Sequence, residues 1–259
     1  MPTTIDLDTE VPGVTRVSFR SDNGVQVLSR ETCDALASVL KQLAKDQSLR
    51  VVVFQAQGRT FLAGADLREL AGLTRRSARK YSRQGQRLFQ RIAELPAVTI
   101  CALHAPCAGG GCEMALACDL RVAAEESRIG LPEVTLGLIP GWGGTVRATR
   151  LLGSAAARRM ILSGELLDAP TALRLGLVDA VYPSGEFRNA VDARVAQFLK
   201  GGPHAVAAAK RLLSEIDDVE LPELLEMEAE QFARCYDTDE PPEGLAAFLE
   251  KRPARWVMV

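Results

Sequence analysis

Along the first 200 residues, short runs rich in β-branched residues alternate with longer stretches in which apolar residues recur with helical spacing. Such runs favour β-strands, and apolar residues at every third or fourth position favour amphipathic helices. The predicted strands are residues 14–19, 51–54, 97–103, 119–123 and 177–182. The predicted helices are residues 30–45, 75–94, 111–118, 155–163, 169–175 and 186–200. This alternation predicts an α/β fold.

The strand pattern stops at Gly201, Gly202 and Pro203. Beyond these turn residues, residues 205–216, 222–236 and 241–250 are predicted to form consecutive helices. We therefore predict two domains: a core over residues 1–200 that contains the ligand site, and a helical C-terminal region over residues 201–259.

Charge and hydropathy narrow the classes of partner. The formal net charge is −2, so no overall positive field attracts nucleic acid or an acidic membrane. Residues 1–13 have neither the basic start nor the apolar stretch of an export signal. The apolar run at residues 97–103 is too short to cross a bilayer. We expect a cytoplasmic protein that binds a small molecule, with no nucleic acid or membrane as a partner.

The cysteines and histidines do not have the spacing of a metal site. The six cysteines lie mostly in apolar segments and form no C-x-x-C pair. The two histidines, His104 and His204, are far apart and in no H-E-x-x-H setting. We expect reduced thiols in the core and no metal ligands.

Three consecutive glycines, Gly109 to Gly111, lead directly into a predicted helix. Glycine lets a backbone approach a ligand closely, and free N–H groups in the first turn of a helix can stabilise an oxyanion. Close packing of a helix on a strand would explain the run equally well. Position 114 is Met, which excludes G-x-G-x-x-G, and the chain has no G-K-[ST] phosphate loop and no G-x-S-x-G nucleophile elbow. Dinucleotide, ATP and acyl-enzyme chemistry are therefore disfavoured.

Two glutamates are candidate acid–base residues. Glu113 follows the glycines on the predicted helix, and Glu133 lies in a turn-like segment among apolar neighbours. An apolar setting raises the pKa of a carboxyl group, which suits proton transfer near neutral pH. Taken singly, each glutamate fits a structural role as well.

Further motifs accompany the glutamates in a fixed order. They are FLAGADLREL at 61–70, the glycine loop, LPE at 131–133, GLIPGWGGT at 137–145, LSGE at 162–165, ALRLGLVD at 172–179 and FLEKR at 248–252. In this order and spacing the chain closely resembles the crotonase (enoyl-CoA hydratase/isomerase) superfamily, and most of all its enoyl-CoA hydratases. The resemblance covers nearly the whole chain.

The resemblance implies a crotonase-like spiral of ββα units whose C-terminal helical region mediates assembly into a homotrimer or a dimer of trimers. It also implies an acyl-CoA substrate, with the backbone N–H groups of Ala65 and Gly110 as the oxyanion hole. The substrate-binding positions that it implies are Ala63, Asp66, Leu67 and Lys251. No metal or redox cofactor is implied, because coenzyme A is part of the substrate.

Family members that hydrate α,β-unsaturated acyl-CoA have both glutamates, so the resemblance implies that Glu113 and Glu133 are catalytic and hold one water between them. The reversible product would be a 3-hydroxyacyl-CoA. An isomerase, a decarboxylase or a dehydratase of another acyl thioester would use the same oxyanion hole. A non-catalytic RNA-binding or scaffold relative, with the basic residues 75–91 as its surface, is the alternative of a different class.

Trp142 departs from the usual pattern because it is large for a position between Gly141 and Gly143. Its ring is expected either to narrow the acyl end of the pocket, which would favour short substrates, or to pack in the core. The segment at residues 20–36, with VQVLSRE at 25–31, resembles the hydratase regions of fatty-acid oxidation multienzymes, which implies fatty acyl substrates.

Overall fold

Apolar side chains of the predicted strands form the core of a mixed α/β structure. In the computed structural model, which describes residues 3–216 and 219–257, the side chains of Val51 to Phe54 are fully buried. Burial of both faces of a strand is typical of a sheet covered on both sides. The strands are β1 (Thr4–Asp8), β2 (Val14–Arg20), β3 (Val51–Ala56), β4 (Val98–Leu103), β5 (Cys107–Ala108), β6 (Leu120–Ala124), β7 (Arg128–Gly130), β8 (Leu166–Asp168) and β9 (Ala180–Tyr182).

The larger sheet contains six strands in the order β1-β2-β3-β4-β6-β9. β1 is antiparallel to β2, whereas β2 is parallel to β3, with Val14 opposite Val51. β4 is parallel to β6, with Ile100 opposite Leu120, and β6 is parallel to β9. A three-stranded sheet has the order β5-β7-β8, with β5 parallel and β8 antiparallel to β7. Parallel neighbours require crossover connections, and helices supply them here.

Side-chain caps fix where two of the long helices begin. Ser29 caps the first helix by accepting from the N–H of Thr32, and Thr74 forms a capping box with Ser77 at the third. The helices are α1 (Arg30–Leu43), α2 (Leu67–Ala71), α3 (Arg75–Ala93), α4 (Gly110–Ala115), α5 (Gly144–Ser163), α6 (Ala169–Arg174), α7 (Phe187–Phe198), α8 (Pro203–Glu215), α9 (Leu221–Cys235) and α10 (Glu240–Leu249).

The longest predicted elements are present, and the differences concern short or interrupted ones. The predicted helix at 155–163 is the second half of α5, which is broken at Gly153 by a φ of 75°. Strands β5, β7 and β8 have two or three residues each, and β1 is mostly exposed. Such segments are too short or too polar to show a period.

The described chain divides into two compact units. The first comprises residues 3–95 and 99–191, and the second comprises residues 96–98 and 192–257 apart from 217 and 218. Within the second unit, the carboxylate of Glu240 accepts hydrogen bonds from the N–H groups of His204 and Ala205 at the start of α8, over 2.8 and 3.1 Å. The division falls inside α7, and the predicted domain boundary after residue 200 stays a prediction. No helix in the described residues is long and apolar enough to cross a membrane.

Candidate active site

The glycine run allows α4 to begin directly against the segment that precedes α2. A Cβ added at Gly111 would lie 2.5 Å from the carbonyl oxygen of Leu62, closer than real Cβ contacts come. Gly109 has a φ of 53° and a ψ of −125°, a conformation that side chains strongly disfavour. Glycine is therefore needed at both positions, and the first turn of the helix that they permit carries Glu113.

Glu113 is buried and held by two backbone donors. Its side chain is only 2% exposed, and Oε1 accepts hydrogen bonds from the N–H groups of Trp142 and Gly144 over 2.7 and 2.8 Å. Burial raises the pKa of Glu113 to about 7, and the charge of Glu133 adds to this effect. The two N–H donors and the positive charge of Arg147 act in the opposite direction by favouring the carboxylate. The result is a carboxyl group that titrates near neutral pH.

Glu133 opens a 3₁₀ turn (Glu133–Leu136) that ends at Gly137, whose φ is 72°. Its carboxylate lies over the glycine loop, since a Cβ added at Gly109 would be 3.3 Å from Glu133 Oε1. Oε2 is buried and has no hydrogen-bond partner among the described residues. Burial raises the pKa of this carboxyl group as well. Oε2 of Glu133 is therefore free to meet a ligand in the site.

Both carboxylates line one cavity of about 430 Å³ in the first unit. Much of the remaining lining is apolar, which suits a hydrocarbon chain. Among the apolar side chains are Leu67, Leu70, Leu73, Leu136, Leu138, Ile139, Pro132 and Pro140.

Ala65 and Gly110, whose backbone N–H groups are the predicted oxyanion-hole donors, both line the same cavity. The two groups are close together: a Cβ added at Gly64 would lie 3.5 Å from Gly110 N, and one added at Gly110 would lie 3.5 Å from Ala65 N. Within the part of the chain that the structure describes, neither N–H has a hydrogen-bond acceptor. Paired free donors of this kind can stabilise negative charge on a carbonyl oxygen.

The four predicted substrate-binding residues have different locations. Ala63 and Leu67 line the cavity. The carboxylate of Asp66 caps α2 by accepting from the N–H of Arg68 over 2.8 Å, and Asp66 is not among the lining residues. Lys251 lies in the second unit, just after α10, with a φ of 55°. The substrate-binding roles of all four residues stay predictions.

The residues that hold Glu113 in place were not predicted from the sequence. The donors at Trp142 and Gly144 are backbone groups and leave no side-chain signal. Arg147 on α5 donates to the carbonyl oxygen of Trp142 over 3.2 Å and to Oε1 of Gln90 over 3.1 Å. It fixes the turn that presents those donors, and the only available signal was its place after GGT in the motif.

Trp142 packs in the core and also lines the cavity. Its side chain is 3% exposed, and its ring lies 5.1 Å from the ring of Tyr81 and 5.5 Å from that of Phe89. A Cβ added at Gly85 on α3 would lie 2.2 Å from the indole. Core packing and a place at the cavity, the two alternatives expected for Trp142, therefore occur together.

Comparisons with known proteins agree with this geometry. Residues 9–258 match the family model described as Enoyl-CoA hydratase/isomerase. A probable enoyl-CoA hydratase of Bacillus subtilis is 37% identical over 87% of this chain and 88% of its own length. A short-chain-enoyl-CoA hydratase of Clostridium acetobutylicum is 31% identical over 91% of each chain. The crystal structure of an enoyl-CoA hydratase from Bacillus anthracis superposes with a TM-score of 0.92 at 34% identity, covering 96% of this chain and 97% of that one.

Proposed function

The chain belongs to the enoyl-CoA hydratase/isomerase family, and on that premise we propose that it adds water across the α,β double bond of an enoyl-CoA thioester, with Glu113 and Glu133 as its catalytic carboxylates. One observation carries the proposal. Two carboxyl groups with raised pKa values and two backbone N–H groups without acceptors line the same apolar cavity. These are the groups that hydration of a conjugated thioester requires.

In the proposed reaction each carboxyl group carries one proton transfer. Glu113, whose carboxylate form is favoured by two N–H donors, accepts a proton from the water as the water oxygen bonds to the β-carbon. The electron pair of the double bond moves towards the thioester, and the N–H groups of Ala65 and Gly110 stabilise the enolate oxygen. Glu133 then gives its proton to the α-carbon. Proton exchange with solvent restores both groups after the 3-hydroxyacyl-CoA leaves.

The remaining binding roles follow from the same proposal. Ala63, Asp66 and Leu67 lie on the segment that would contact coenzyme A, and Lys251 would pair with its phosphates. The proposed chemistry uses only carboxyl and backbone N–H groups, so it assigns no role to a metal or redox cofactor. Coenzyme A enters as part of the substrate.

Assembly into a homotrimer or a dimer of trimers is part of the proposal. Large apolar side chains are exposed on α9, among them Leu225 at 55% and Phe232 at 67%. Exposed apolar surface of this kind marks an interaction site. We propose a cytoplasmic enzyme whose partners are acyl-CoA and further copies of itself, with neither nucleic acid nor a membrane among them.

Isotope transfer from water tests the proposed reaction. Incubating a short trans-2-enoyl-CoA with the enzyme in ¹⁸O-labelled water should give 3-hydroxyacyl-CoA labelled at its hydroxyl oxygen, as measured by mass spectrometry. Double-bond migration without incorporation of oxygen would replace hydration with isomerisation. Heat-inactivated enzyme supplies the background.

A further inference from the structure

Two cavities meet at the aromatic rings of Tyr81 and Trp142. Both rings line the cavity that contains Glu113 and Glu133, and both line a second cavity of about 190 Å³ between α1 and α3. Among the described residues, these are the only two that line both cavities. The rings therefore form the partition between the two spaces.

The indole of Trp142 is held on two sides by glycines. A Cβ added at Gly85 would lie 2.2 Å from the ring, and one added at Gly110 would lie 2.9 Å from its Cζ3 atom. Helix α3 thus has glycine in its interior where the ring packs, although glycine disfavours helices. Phe89 contacts the ring edge-on. Gly85, Gly110 and Phe89 therefore pack directly on the ring and fix its position between the two cavities.

The two sides of the partition differ in chemistry. The active-site cavity is lined mainly by apolar residues, chiefly leucine, proline and glycine, beside Arg79 and the two glutamates. The second cavity is lined by several charged side chains, which are Arg30, Asp34, Arg87 and Arg91. A hydrocarbon chain that passed the rings would therefore leave an apolar environment for a polar one.

Resting on the proposed function, we infer that Tyr81 and Trp142 form an end wall for the acyl chain and make the enzyme selective for short enoyl-CoA substrates. The ring of Trp142 lies against Gly110, whose N–H is proposed to bind the thioester oxygen. The wall therefore lies close to the reacting carbons. Tyr81 and Trp142 determine specificity because they limit the length of acyl chain that the cavity can hold.

The preference of three variants for substrates of different acyl chain length tests whether Tyr81 and Trp142 form the end wall. The ratio of kcat/KM for a medium-chain over a short-chain trans-2-enoyl-CoA is measured for wild type, Trp142→Phe, Trp142→Ala and Leu88→Ala. Leu88 lines only the second cavity, so Leu88→Ala enlarges that cavity while leaving the wall intact. We expect wild type to prefer the short chain and Trp142→Ala to raise the ratio by about 10-fold or more, since a methylene group in a pocket changes discrimination by roughly 10–200-fold. Trp142→Phe should give a smaller rise, and Leu88→Ala should leave the ratio unchanged.

The outcomes separate this inference from the proposed function. A wild type that hydrates enoyl-CoA but prefers medium or long chains overturns the wall and leaves the hydratase proposal standing. The wall is also overturned if the medium-to-short ratio of kcat/KM is unchanged in the folded Trp142 variants, or if Leu88→Ala raises that ratio as much as Trp142→Ala does. A wild type that hydrates no chain length overturns the proposed function. If Trp142→Ala does not fold, Trp142→Phe alone decides.

Discussion

At the residue scale, Glu113 and Glu133 have the same side chain but different hydrogen-bond partners. Oε1 of Glu113 accepts from two N–H groups, whereas Oε2 of Glu133 has no partner among the described residues. Oε1 of Glu113 is therefore held in place, while Oε2 of Glu133 is free to meet a ligand, and the proposed roles of base and acid use this difference. The motifs identified both positions but not this asymmetry, because the donors to Glu113 lie 29 and 31 residues away on the backbone.

The raised pKa of Glu113 predicts a pH-dependent gain in stability for Glu113→Gln. The folded pKa of about 7 lies above the ordinary 4.5, so the folded chain binds this proton more tightly than the unfolded chain. Burial of Glu113 therefore destabilises the wild type progressively as pH rises from about 4.5 to 7. Removing the charge should raise the free energy of unfolding by about 3 kcal/mol above pH 7, with the gain vanishing near pH 4.5.

Urea unfolding at several pH values measures this difference. The exposed Glu125, changed to Gln, is the matched control and should stay within about 0.5 kcal/mol of wild type. A Glu113→Gln variant that is less stable than wild type at pH 8 would contradict the placement of a destabilising carboxylate in the site.

At the element scale, Arg121 anchors the short helix α4 that carries Glu113. Arg121 lies on β6 and is 4% exposed. Its guanidinium donates to the carbonyl oxygen of Ala115, the last residue of α4, over 3.4 Å and to those of Cys118 and Leu177, each over 2.8 Å. It also pairs with Asp179 over 3.4 Å. The sequence placed α4 and β6 correctly, but an arginine within an apolar strand gives no sign of which carbonyl groups it will meet. Partners remote in the chain are fixed only by the fold.

We expect Arg121→Met to lower the free energy of unfolding by at least about 2 kcal/mol. Buried carbonyl groups that lose their donor cost roughly 1–3 kcal/mol each. The exposed Arg128, changed to Met, should stay within about 0.5 kcal/mol of wild type. The two variants are compared by their denaturant unfolding midpoints, provided that the m-value is unchanged. Equal midpoints would contradict an anchoring role for Arg121.

At the scale of the whole molecule, the α/β class, the enoyl-CoA hydratase/isomerase family and the hydratase function predicted from the sequence are confirmed. The alternation of strands and helices survives small errors in boundaries, which is why the class was predictable. Strands of two or three residues, such as β5 and β7, were not, because so few residues show no period. Assembly also stays a proposal, because a single chain shows exposed apolar residues on α9 without showing what covers them.

The central claim is that Glu113 and Glu133 together place and activate the water, and replacing each with glutamine tests it most directly. Hydration of a short enoyl-CoA is followed by loss of the conjugated enoyl-thioester absorbance, alongside binding of CoA and a thermal melt. Glu113→Gln and Glu133→Gln should each lower kcat by about 10²–10⁴-fold while the fold and CoA binding persist, because a positioned acid or base contributes that much. Glu125→Gln should retain wild-type activity. Near wild-type hydration in either active-site variant would contradict the account, and strong dependence on only one glutamate would indicate an isomerase.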